Sequence, residues 1–426
     1  MRIHVRSLGC KLNQSEMDAL AGELSRAGHQ VVGAPAEADL CVFNTCAVTH
    51  VAAQKTRQAL RRMHRENPDA RLVVTGCYAE LTPADLQDLP GVELVAGNQD
   101  KGRLAGLISV AKPIPESRIQ NSELRFSPSR TRALVKIQDG CDNACTYCII
   151  HVARGPERSH LPDQILAEVQ ARLKAGHREV VLTGVNIGAY GRDRPGGEPV
   201  IDLWGLVARI LSETCVPRLR LSSIEPWDLP QRALSLWEDP RLCRHLHLPL
   251  QSGSDAVLWR MARRCGRNEF TAIAEAARAA IPGLALTTDI IVGFPGETGD
   301  EFAESLAFVR DMKFARTHVF PYSPRPGTPA AGMRDQVPAP VKRQRARAMR
   351  AAASASDRAY RQRFVGQTMN VLWESSKPGE PGPVWSGLTD NYLRVQTISA
   401  ADLSNQETNT RLVALTVNGL RGRIEI

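Results

Sequence analysis

The sequence predicts an α/β protein built from three parts, and three patterns support this fold class. Residues 1–112 alternate short apolar strands with amphipathic helices, and a second alternation of this kind occupies residues 129–362. Because such helices connect parallel strands, both parts are expected to contain a parallel sheet. From residue 363 onward short alternating strands follow one another, which is typical of a small antiparallel β-barrel. A linker is predicted at residues 113–128, which are rich in Pro and Ser.

The first part begins with a strand and a helix whose start is marked by Asn13 and Glu16. These two residues have the spacing of a capping box, in which side chains satisfy the first backbone N–H groups of a helix. The predicted helices are Asn13–Gly28 and His50–Glu66, and the predicted strands are Arg2–Leu8, Asp39–Asn44, Arg71–Thr75 and Val92–Ala96.

Three cysteines come directly after three of these strands: Cys10, Cys46 and Cys77. The carboxyl ends of parallel strands meet at one edge of a sheet, so these cysteines are expected to converge. Three thiolates can hold three irons of a cubane iron–sulfur cluster and leave one iron open. The alternative is three buried thiols, because Cys is among the most buried residue types. Cys41 lies inside its strand and is predicted to pack in the core.

The second part contains six candidate strands with helices between them, which predicts a partial barrel. In such barrels the chemistry lies at the carboxyl ends of the strands. The predicted strands are Leu134–Gln138, Glu179–Val185, Arg218–Ile224, His245–Leu250, Thr287–Val292 and Thr317–Tyr322, and the predicted helices include Pro162–Ala175, Asp255–Arg264 and Glu301–Met312. His245 and His247 alternate with leucines and are interpreted as interior or edge residues rather than metal ligands, because no partner ligands lie nearby in the sequence.

The loop after the first of these strands carries Cys141, Cys145 and Cys148, with Tyr147 just before the third cysteine. This triad again offers three ligands to a cluster that normally takes four, which leaves one iron for a substrate. A structural zinc site is the alternative, but zinc takes four N or S ligands and no nearby histidine completes a familiar spacing. A disulfide framework is disfavoured because the N-terminus has no export signal.

Composition indicates a globular protein with an anionic partner. Apolar residues make up 43% of the chain and the net charge is +9, so nucleic acid is a plausible partner. No apolar run approaches the roughly 20 residues of a membrane helix, and the cytoplasm is the expected location. Residues 341–363 form a basic helix with eight cations and one acid, Asp357. Its charges suit either a solvated face or an RNA backbone.

The spacing of Cys141, Cys145 and Cys148 resembles the signature of the radical S-adenosylmethionine (SAM) enzymes. The resemblance implies that these cysteines bind a 4Fe-4S cluster whose open iron holds SAM, and that one electron from an external reductant then yields a 5′-deoxyadenosyl radical. Relatives often have Pro at the position of His151 and an aromatic residue at Ala144, which puts the shape of the loop in doubt but removes no ligand.

The whole chain resembles the methylthiotransferases, and five segments look most like their MtaB branch: Leu8–Glu16, Asn44–Thr49, Thr75–Cys77, Ala153–Arg158 and Phe320–Ala330. The resemblance implies that Cys10, Cys46 and Cys77 bind an auxiliary 4Fe-4S cluster and that residues 363–426 form a TRAM-like RNA-binding domain. It implies that Tyr147, Ser223, Glu225 and Gln251 help to hold SAM.

The implied reaction adds a methylthio group to carbon 2 of N6-threonylcarbamoyladenosine, next to the tRNA anticodon. One SAM methylates sulfur held at the auxiliary cluster, from a sulfur donor that the sequence does not identify, and a second SAM supplies the radical. Three alternatives stay open: the isopentenyladenosine branch on tRNA, the branch acting on a ribosomal protein, and a non-enzymatic iron–sulfur protein that binds RNA.

Overall fold

The structure is a computed structural model that describes residues 1–47, 49–110, 131–193 and 201–425. The linker predicted at residues 113–128 lies outside the described residues. Within the described ranges, no helix is both long enough and apolar enough to cross a membrane.

The N-terminal part is a five-stranded parallel sheet in the order β2-β1-β3-β4-β5, with apolar clusters on both faces. Cys41 is fully buried in one of these clusters, as predicted. The strands are β1 (Arg2–Ser7), β2 (Gln30–Val32), β3 (Leu40–Thr45), β4 (Arg71–Gly76) and β5 (Val92–Ala96), and the helices are α1 (Lys11–Arg26), α2 (His50–Glu66), α3 (Cys77–Leu81), α4 (Ala84–Gln87) and α5 (Leu104–Val110).

The capping box predicted at Asn13 is wrong. Helix α1 begins at Lys11 with Cys10 as its N-cap residue, and no side chain caps it. Asn13 is buried inside the first turn and donates hydrogen bonds to the carbonyls of Leu8 and Thr45 at 3.0 and 2.9 Å. The side-chain amide of Asn13 therefore does not cap α1, and its hydrogen bonds connect the loop before α1 to the end of β3.

The central part is the predicted partial barrel of six parallel strands. Strands β6, β9 and β10 form one three-stranded sheet and β11, β12 and β13 a second, and a bridge between Ser223 and His247 connects the two. The six barrel strands are β6 (Arg132–Lys136), β9 (Glu179–Thr183), β10 (Arg218–Leu221), β11 (His245–His247), β12 (Ala285–Val292) and β13 (Arg316–Pro321). The short strands β7 (Gln138–Asp139) and β8 (Arg158–Ser159) form a separate antiparallel pair.

The helices of this part lie between and after the barrel strands. They are α6 (Ile150–Arg154), α7 (Pro162–Lys174), α8 (Leu203–Glu213), α9 (Asp255–Arg260), α10 (Arg267–Ala280), α11 (Gly299–Asp311) and α12 (Ala339–Gln362). The helix predicted at Asp255–Arg264 is too long, because Ala262 adopts a φ of 55° that ends the helix and turns Arg263 inward. Helix α11 does begin with a capping box, made by Thr298 and Glu301.

The C-terminal part is a closed barrel of five strands in the order β14-β15-β16-β18-β17, as expected for a TRAM-like domain. Two of its strands, at Val384–Thr389 and Gly419–Ile424, escaped prediction because each contains a glycine, a residue that strands disfavour. The strands are β14 (Thr368–Lys377), β15 (Val384–Thr389), β16 (Arg394–Ile398), β17 (Glu407–Thr416) and β18 (Gly419–Ile424).

The loop between β15 and β16 closes the amino-terminal end of the six-stranded barrel. There the fully buried Glu179 accepts hydrogen bonds from Arg218 and Arg220 at 2.6–3.0 Å, and Arg220 also donates to the carbonyls of Thr389 and Asp390. These two arginines hold the pKa of Glu179 down to about 2 although burial opposes ionisation. The C-terminal barrel is therefore attached through a buried ionic cluster.

Tyr392 of the same loop enters the barrel interior. Its backbone has a φ of 66°, which is uncommon for a residue with a side chain. Its ring stacks on His245 at 4.6 Å between centroids, and the guanidinium of Arg220 lies 4.6 Å from the ring centroid. His245 is thus an interior residue, as predicted.

A second buried ionic cluster joins the N-terminal sheet to the barrel. Glu16 on α1 binds Lys101 of the same part and, across the interface, Lys136 and Arg154 at 3.2 and 2.8 Å. Arg154 also binds Asp139 at 2.9 Å. The Glu16 and Arg154 side chains are 7% and 2% exposed, so this cluster is largely shielded from water.

We expect acid to weaken the attachment of the C-terminal barrel through Glu179. A carboxyl whose pKa is lowered by folding contributes stability above its unfolded pKa, and that contribution disappears as the pH falls through the folded pKa. For Glu179 the window runs from its ordinary value of 4.5 down to about pH 2. Urea unfolding across this window should show a steeper loss of stability in the parent than in Glu179→Gln. If the free energy of unfolding fell equally with pH in the parent and in Glu179→Gln, this role would be contradicted. The control is Glu213→Gln, which removes an exposed ion pair with Arg209 and should match the parent.

Glu16→Gln is expected to destabilise the protein by about 3–5 kcal/mol, because it removes the carboxylate that Lys101 binds and leaves the buried Arg154 to share Asp139 with Lys136. Chemical unfolding at neutral pH measures this cost. The matched control is Glu66→Gln, which removes a surface pair with Arg62 and should change stability little. Equal effects of the two substitutions would show that the cluster does not hold the two parts together.

Candidate active site

The first cysteine triad lies where three neighbouring strands end. Ser7 pairs with Asn44, and Thr45 pairs with Gly76, so β1, β3 and β4 end side by side. Cys10, Cys46 and Cys77 follow these ends within three residues. The convergence predicted from their strand-end positions is therefore what the topology produces.

Close backbone approach packs the loop of Cys10 against Cys46. Gly9 has a φ of 126°, and a Cβ at this position would lie 2.9 Å from the Cβ and 3.3 Å from the Sγ of Cys46. Glycine is required here because any side chain would fill the space beside the thiol. Two amide side chains approach the other thiols, since Asn13 lies 3.6 Å from the Sγ of Cys10 and Asn98 lies 3.8 Å from that of Cys77.

Cations from both halves of the molecule surround this triad. Arg154 and Lys101 lie close enough to Cys77 to interact with it electrostatically. Arg325, in the loop after β13, interacts in the same way with Cys46. Burial lowers the pKa of Arg325 and outweighs the attraction of the Cys46 thiolate. Fixed positive charge favours thiolate over thiol, so the surroundings suit cysteines that act as metal ligands.

The second triad lies on one loop between β7 and α6. The backbone N–H of Cys141 bonds to the carbonyl of Gly155, and that of Cys148 bonds to the carbonyl of Cys145, both at 3.1 Å. Burial raises the pKa of Cys141 to about 11 and that of Cys148 to about 12, and the neighbouring thiols of the triad add to the shift in Cys148. The positive charge of a bound metal would favour the thiolate form of these two cysteines.

Arg263 is the closest cation to this second triad, and sequence reasoning missed it. Its side chain is 1% exposed and lies 3.7 Å from the Sγ of Cys145. It also binds both carboxylate oxygens of Glu225 at 3.1 and 2.5 Å and lies 4.6 Å from the ring centroid of Trp227. The sequence has two arginines between Met261 and Cys265, but it does not show that the first of them turns inward.

A cavity of about 220 Å³ borders the second triad at Cys148. Its lining also includes Thr49 of the N-terminal part, three residues after Cys46. Gln251 has a φ of 75° and is held by backbone hydrogen bonds to Asp289 and Ile291, which also line the cavity. The lining residues are Thr49, Tyr147, Cys148, Ile149, Ile150, Gln251, Asp289, Ile291, Phe320, Pro321, Tyr322 and Ser323.

The structure brings two of the four predicted SAM-contacting residues to this cavity. Tyr147 and Gln251 line it, and burial raises the pKa of Tyr147 well above its ordinary value. Ser223 is exposed and bridges the backbone of His247, and Glu225 is engaged by Arg263. These last two lie outside the lining of the cavity.

A half-buried polar group borders the cavity and was not predicted as part of a site. Asp289 lines the cavity and lies 3.4 Å from the Nε2 of His247, whose ring is 6.0 Å from that of His318. Burial lowers the pKa of His318, with Asp289 opposing this effect. Asp289 thus offers the cavity a hydrogen-bond acceptor on a rigid strand.

Both triads fit an iron–sulfur group of three protein ligands. Each supplies three thiols and has an arginine nearby, Arg154 beside Cys77 and Arg263 beside Cys145. In the described ranges no group of three or more His, Cys, Asp or Glu is close enough to hold a single metal ion. A cluster places its irons at the corners of a cube, so its ligands stand further apart than those of one ion.

Two family models match the chain. Residues 2–97 match a family described as the uncharacterized protein family UPF0004, and residues 135–309 match the radical SAM superfamily. These segments contain the first and the second triad, respectively. A solved radical SAM methyltransferase, TsrM from Kitasatospora setae, is 15% identical with a TM-score of 0.56 over 78% of this chain and 75% of its own, which shows the shared fold.

Curated relatives cover nearly the whole chain. The threonylcarbamoyladenosine tRNA methylthiotransferases MtaB of Bacillus subtilis and Thermotoga maritima are 38% and 36% identical, covering 91% and 87% of this chain and 88% and 86% of their own lengths. The tRNA-2-methylthio-N(6)-dimethylallyladenosine synthase of Maricaulis maris is 33% identical over 99% of this chain and 97% of its own. With both triads inside the matched segments, the chain belongs to the radical SAM methylthiotransferase family.

Proposed function

We propose that this enzyme adds a methylthio group to carbon 2 of N6-threonylcarbamoyladenosine at position 37 of tRNA, with two 4Fe-4S clusters and SAM. The observation that carries the proposal is the cavity lined by Cys148 of the second triad and by Thr49 of the N-terminal part, three residues after Cys46 of the first triad. The threonylcarbamoyl substrate is supported by the two MtaB relatives, which are more similar to this chain than the Maricaulis maris enzyme is.

In this proposal Cys141, Cys145 and Cys148 hold one cluster, and Cys10, Cys46 and Cys77 hold the other. When bound, the clusters and SAM supply the radical and the methylated sulfur. The chain contributes the walls of the cavity, and aromatic rings at Phe320 and Tyr322 suit stacking against a nucleobase.

The polar cavity residues are proposed to orient the two bound molecules. Gln251 and Asp289 offer hydrogen bonds from a rigid strand pair, and Ile149 and Ile291 exclude water from the space between the triads. By position Ser223 and Glu225 act from outside the cavity, Glu225 through Arg263.

The remaining assignments follow from the same function. Residues 1–112 form the domain of the auxiliary cluster, residues 129–362 the radical SAM core and residues 363–426 the RNA-binding domain. The enzyme takes one electron from an external reductant, obtains sulfur from a separate donor, and works in the cytoplasm on the anticodon stem-loop.

The dimethylallyladenosine branch is the second candidate, favoured by the relative from Maricaulis maris. The two functions predict different missing nucleosides in a strain that lacks this protein. Mass spectrometry of its tRNA should show loss of 2-methylthio-N6-threonylcarbamoyladenosine with its unmethylthiolated precursor accumulating. Loss of the methylthio form of the isopentenyl nucleoside would instead assign the chain to the other branch.

Replacing one cysteine of each triad should separate two activities. Cys145→Ala is expected to abolish SAM cleavage, whereas Cys46→Ala should retain cleavage and lose methylthiolation, because each triad serves a different step. Each variant should lose about four of eight irons. Anaerobic assays of 5′-deoxyadenosine, of methylthiolated tRNA and of iron content measure this. Equal loss of cleavage in both variants would contradict the division of labour.

Helix α12 provides a surface for the RNA. Four arginines at positions i, i+4, i+7 and i+15 are exposed on one face over roughly 22 Å: Arg343, Arg347, Arg350 and Arg358. The helix starts near the cavity, where Lys342 donates to the carbonyl of Tyr322, and ends beside the C-terminal barrel. This exposed stripe therefore extends from the cavity mouth to the domain proposed to bind RNA.

We expect each Arg→Gln substitution in this stripe to weaken tRNA binding for all tRNA sequences and to reduce the salt dependence of log Kd by roughly one unit of slope. Titration of the four single variants at several salt concentrations measures this. The matched control is Arg209→Gln, on α8 in the other half of the barrel. If the salt dependence of log Kd were unchanged in the stripe variants, α12 would be a solvated surface helix that does not contact the RNA.

A further inference from the structure

Trp259 is a large apolar residue on the surface next to the loop of the second triad. It is 81% exposed at the end of α9, whereas Val257 and Met261 on the same helix are buried in an apolar cluster with Phe294 and Tyr322. Tyr322 lines the cavity, so Trp259 points away from it. Tryptophan is highly buried on average, and it is enriched among the residues that contribute most to binding at protein–protein interfaces.

Short contacts connect this helix to the residue that follows Cys145. The backbone N–H of Thr146 bonds to the carbonyl of Met261 at 3.1 Å, and its hydroxyl bonds to the carbonyl of Arg260 at 2.9 Å. Trp259 therefore lies within a few residues of the second triad. The outer side of the loop is also open, since Asp142 and Ala144 are exposed between the cysteines.

The other surface residues near this loop are an exposed arginine and a partly buried tryptophan. The Arg264 guanidinium lies 5.9 Å from the ring centroid of Trp227, and the same ring contacts Arg263, which reaches the Sγ of Cys145. Ala144, Trp227, Trp259 and Arg264 are called the outer patch. Ala144 is the residue before Cys145, and Trp259 is the residue before Arg260, whose carbonyl bonds to Thr146. Trp227 and Arg264 are connected to Cys145 through Arg263.

We propose that the outer patch is the docking surface for an acidic protein that carries one electron on a flavin or an iron–sulfur group. This inference rests on the proposed function, which needs an electron at the cluster held by Cys141, Cys145 and Cys148. The donor group loses one electron and this cluster gains it, and no proton or leaving group moves. Electron transfer slows steeply with distance, so the donor must dock where the loop is open.

The chemistry of the patch fits such a donor. Electron-transfer encounters are small and transient, so one aromatic anchor and a few neighbours suffice. The net charge of +9 attracts an acidic partner at long range, and Arg264 supplies a local positive charge. Docking at the outer patch also leaves the cavity free, because the loop lines the cavity with Tyr147 and Cys148 and no residue of the outer patch is part of that lining.

The test compares a protein donor with a small reductant. Flavodoxin with its NADPH-dependent reductase and dithionite are supplied in turn to the reconstituted enzyme, and 5′-deoxyadenosine is measured. Trp259→Ala and Arg264→Glu should lower the flavodoxin-driven rate about tenfold and leave the dithionite-driven rate unchanged. Val417→Ala is the matched control, because Val417 is 90% exposed on the C-terminal barrel.

Direct binding gives a readout that does not depend on activity. Flavodoxin affinity, measured by calorimetry, should fall about tenfold in Trp259→Ala and stay at the parent value in Val417→Ala. Equal losses with both reductants, unchanged flavodoxin affinity, or a fall in tRNA affinity with normal flavodoxin binding would each overturn the proposal. If the parent cleaved no SAM with dithionite, the proposed function would fail, while the binding measurement would still decide the docking surface.

Discussion

The guanidinium of Arg154 is the interaction on which the arrangement of the two triads depends. Buried at the end of α6, it binds Glu16 and Asn13 of the N-terminal sheet and Asp139 of the barrel. Asn13 bonds to the loop before Cys10, and Asp139 lies two residues before Cys141. Because a buried charge tolerates little displacement from its partners, the loops that carry both triads are fixed to the same group.

Local patterns predicted those features of the site that depend on strand ends. The positions of Cys10, Cys46 and Cys77 followed from apolar strands and from the rule that parallel strands end together. The role of Asn13 could not be predicted in this way, because the sequence is the same whether an amide near a helix start caps that helix or bonds to a neighbouring strand. The Arg154–Glu16 contact spans 138 positions in the chain, so no local pattern could reveal it.

Charge runs illustrate the same limit of sequence patterns. The basic residues of α12 look equivalent in sequence, yet Arg345 binds the buried Glu297, and Arg361 donates to the carbonyls of Thr416 and Gly419 in the C-terminal barrel. These two hold the fold together, while four others are exposed along one face. A net charge of +9 thus includes cations that no anionic partner can reach, and only the packing of the helix separates the two groups.

The two faces of the Cys141–Cys148 loop give this site separate routes for its reactants. The inner face, at Tyr147 and Cys148, borders the cavity, and the outer face exposes Asp142 and Ala144. Under the proposed function and docking surface, a nucleobase in the cavity therefore need not leave before an electron reaches the outer side of the loop. Since α9 packs its apolar residues against the cavity wall and exposes Trp259, one short helix supports both routes. Water is kept from the inner face by the apolar lining, where a reactive radical needs such protection.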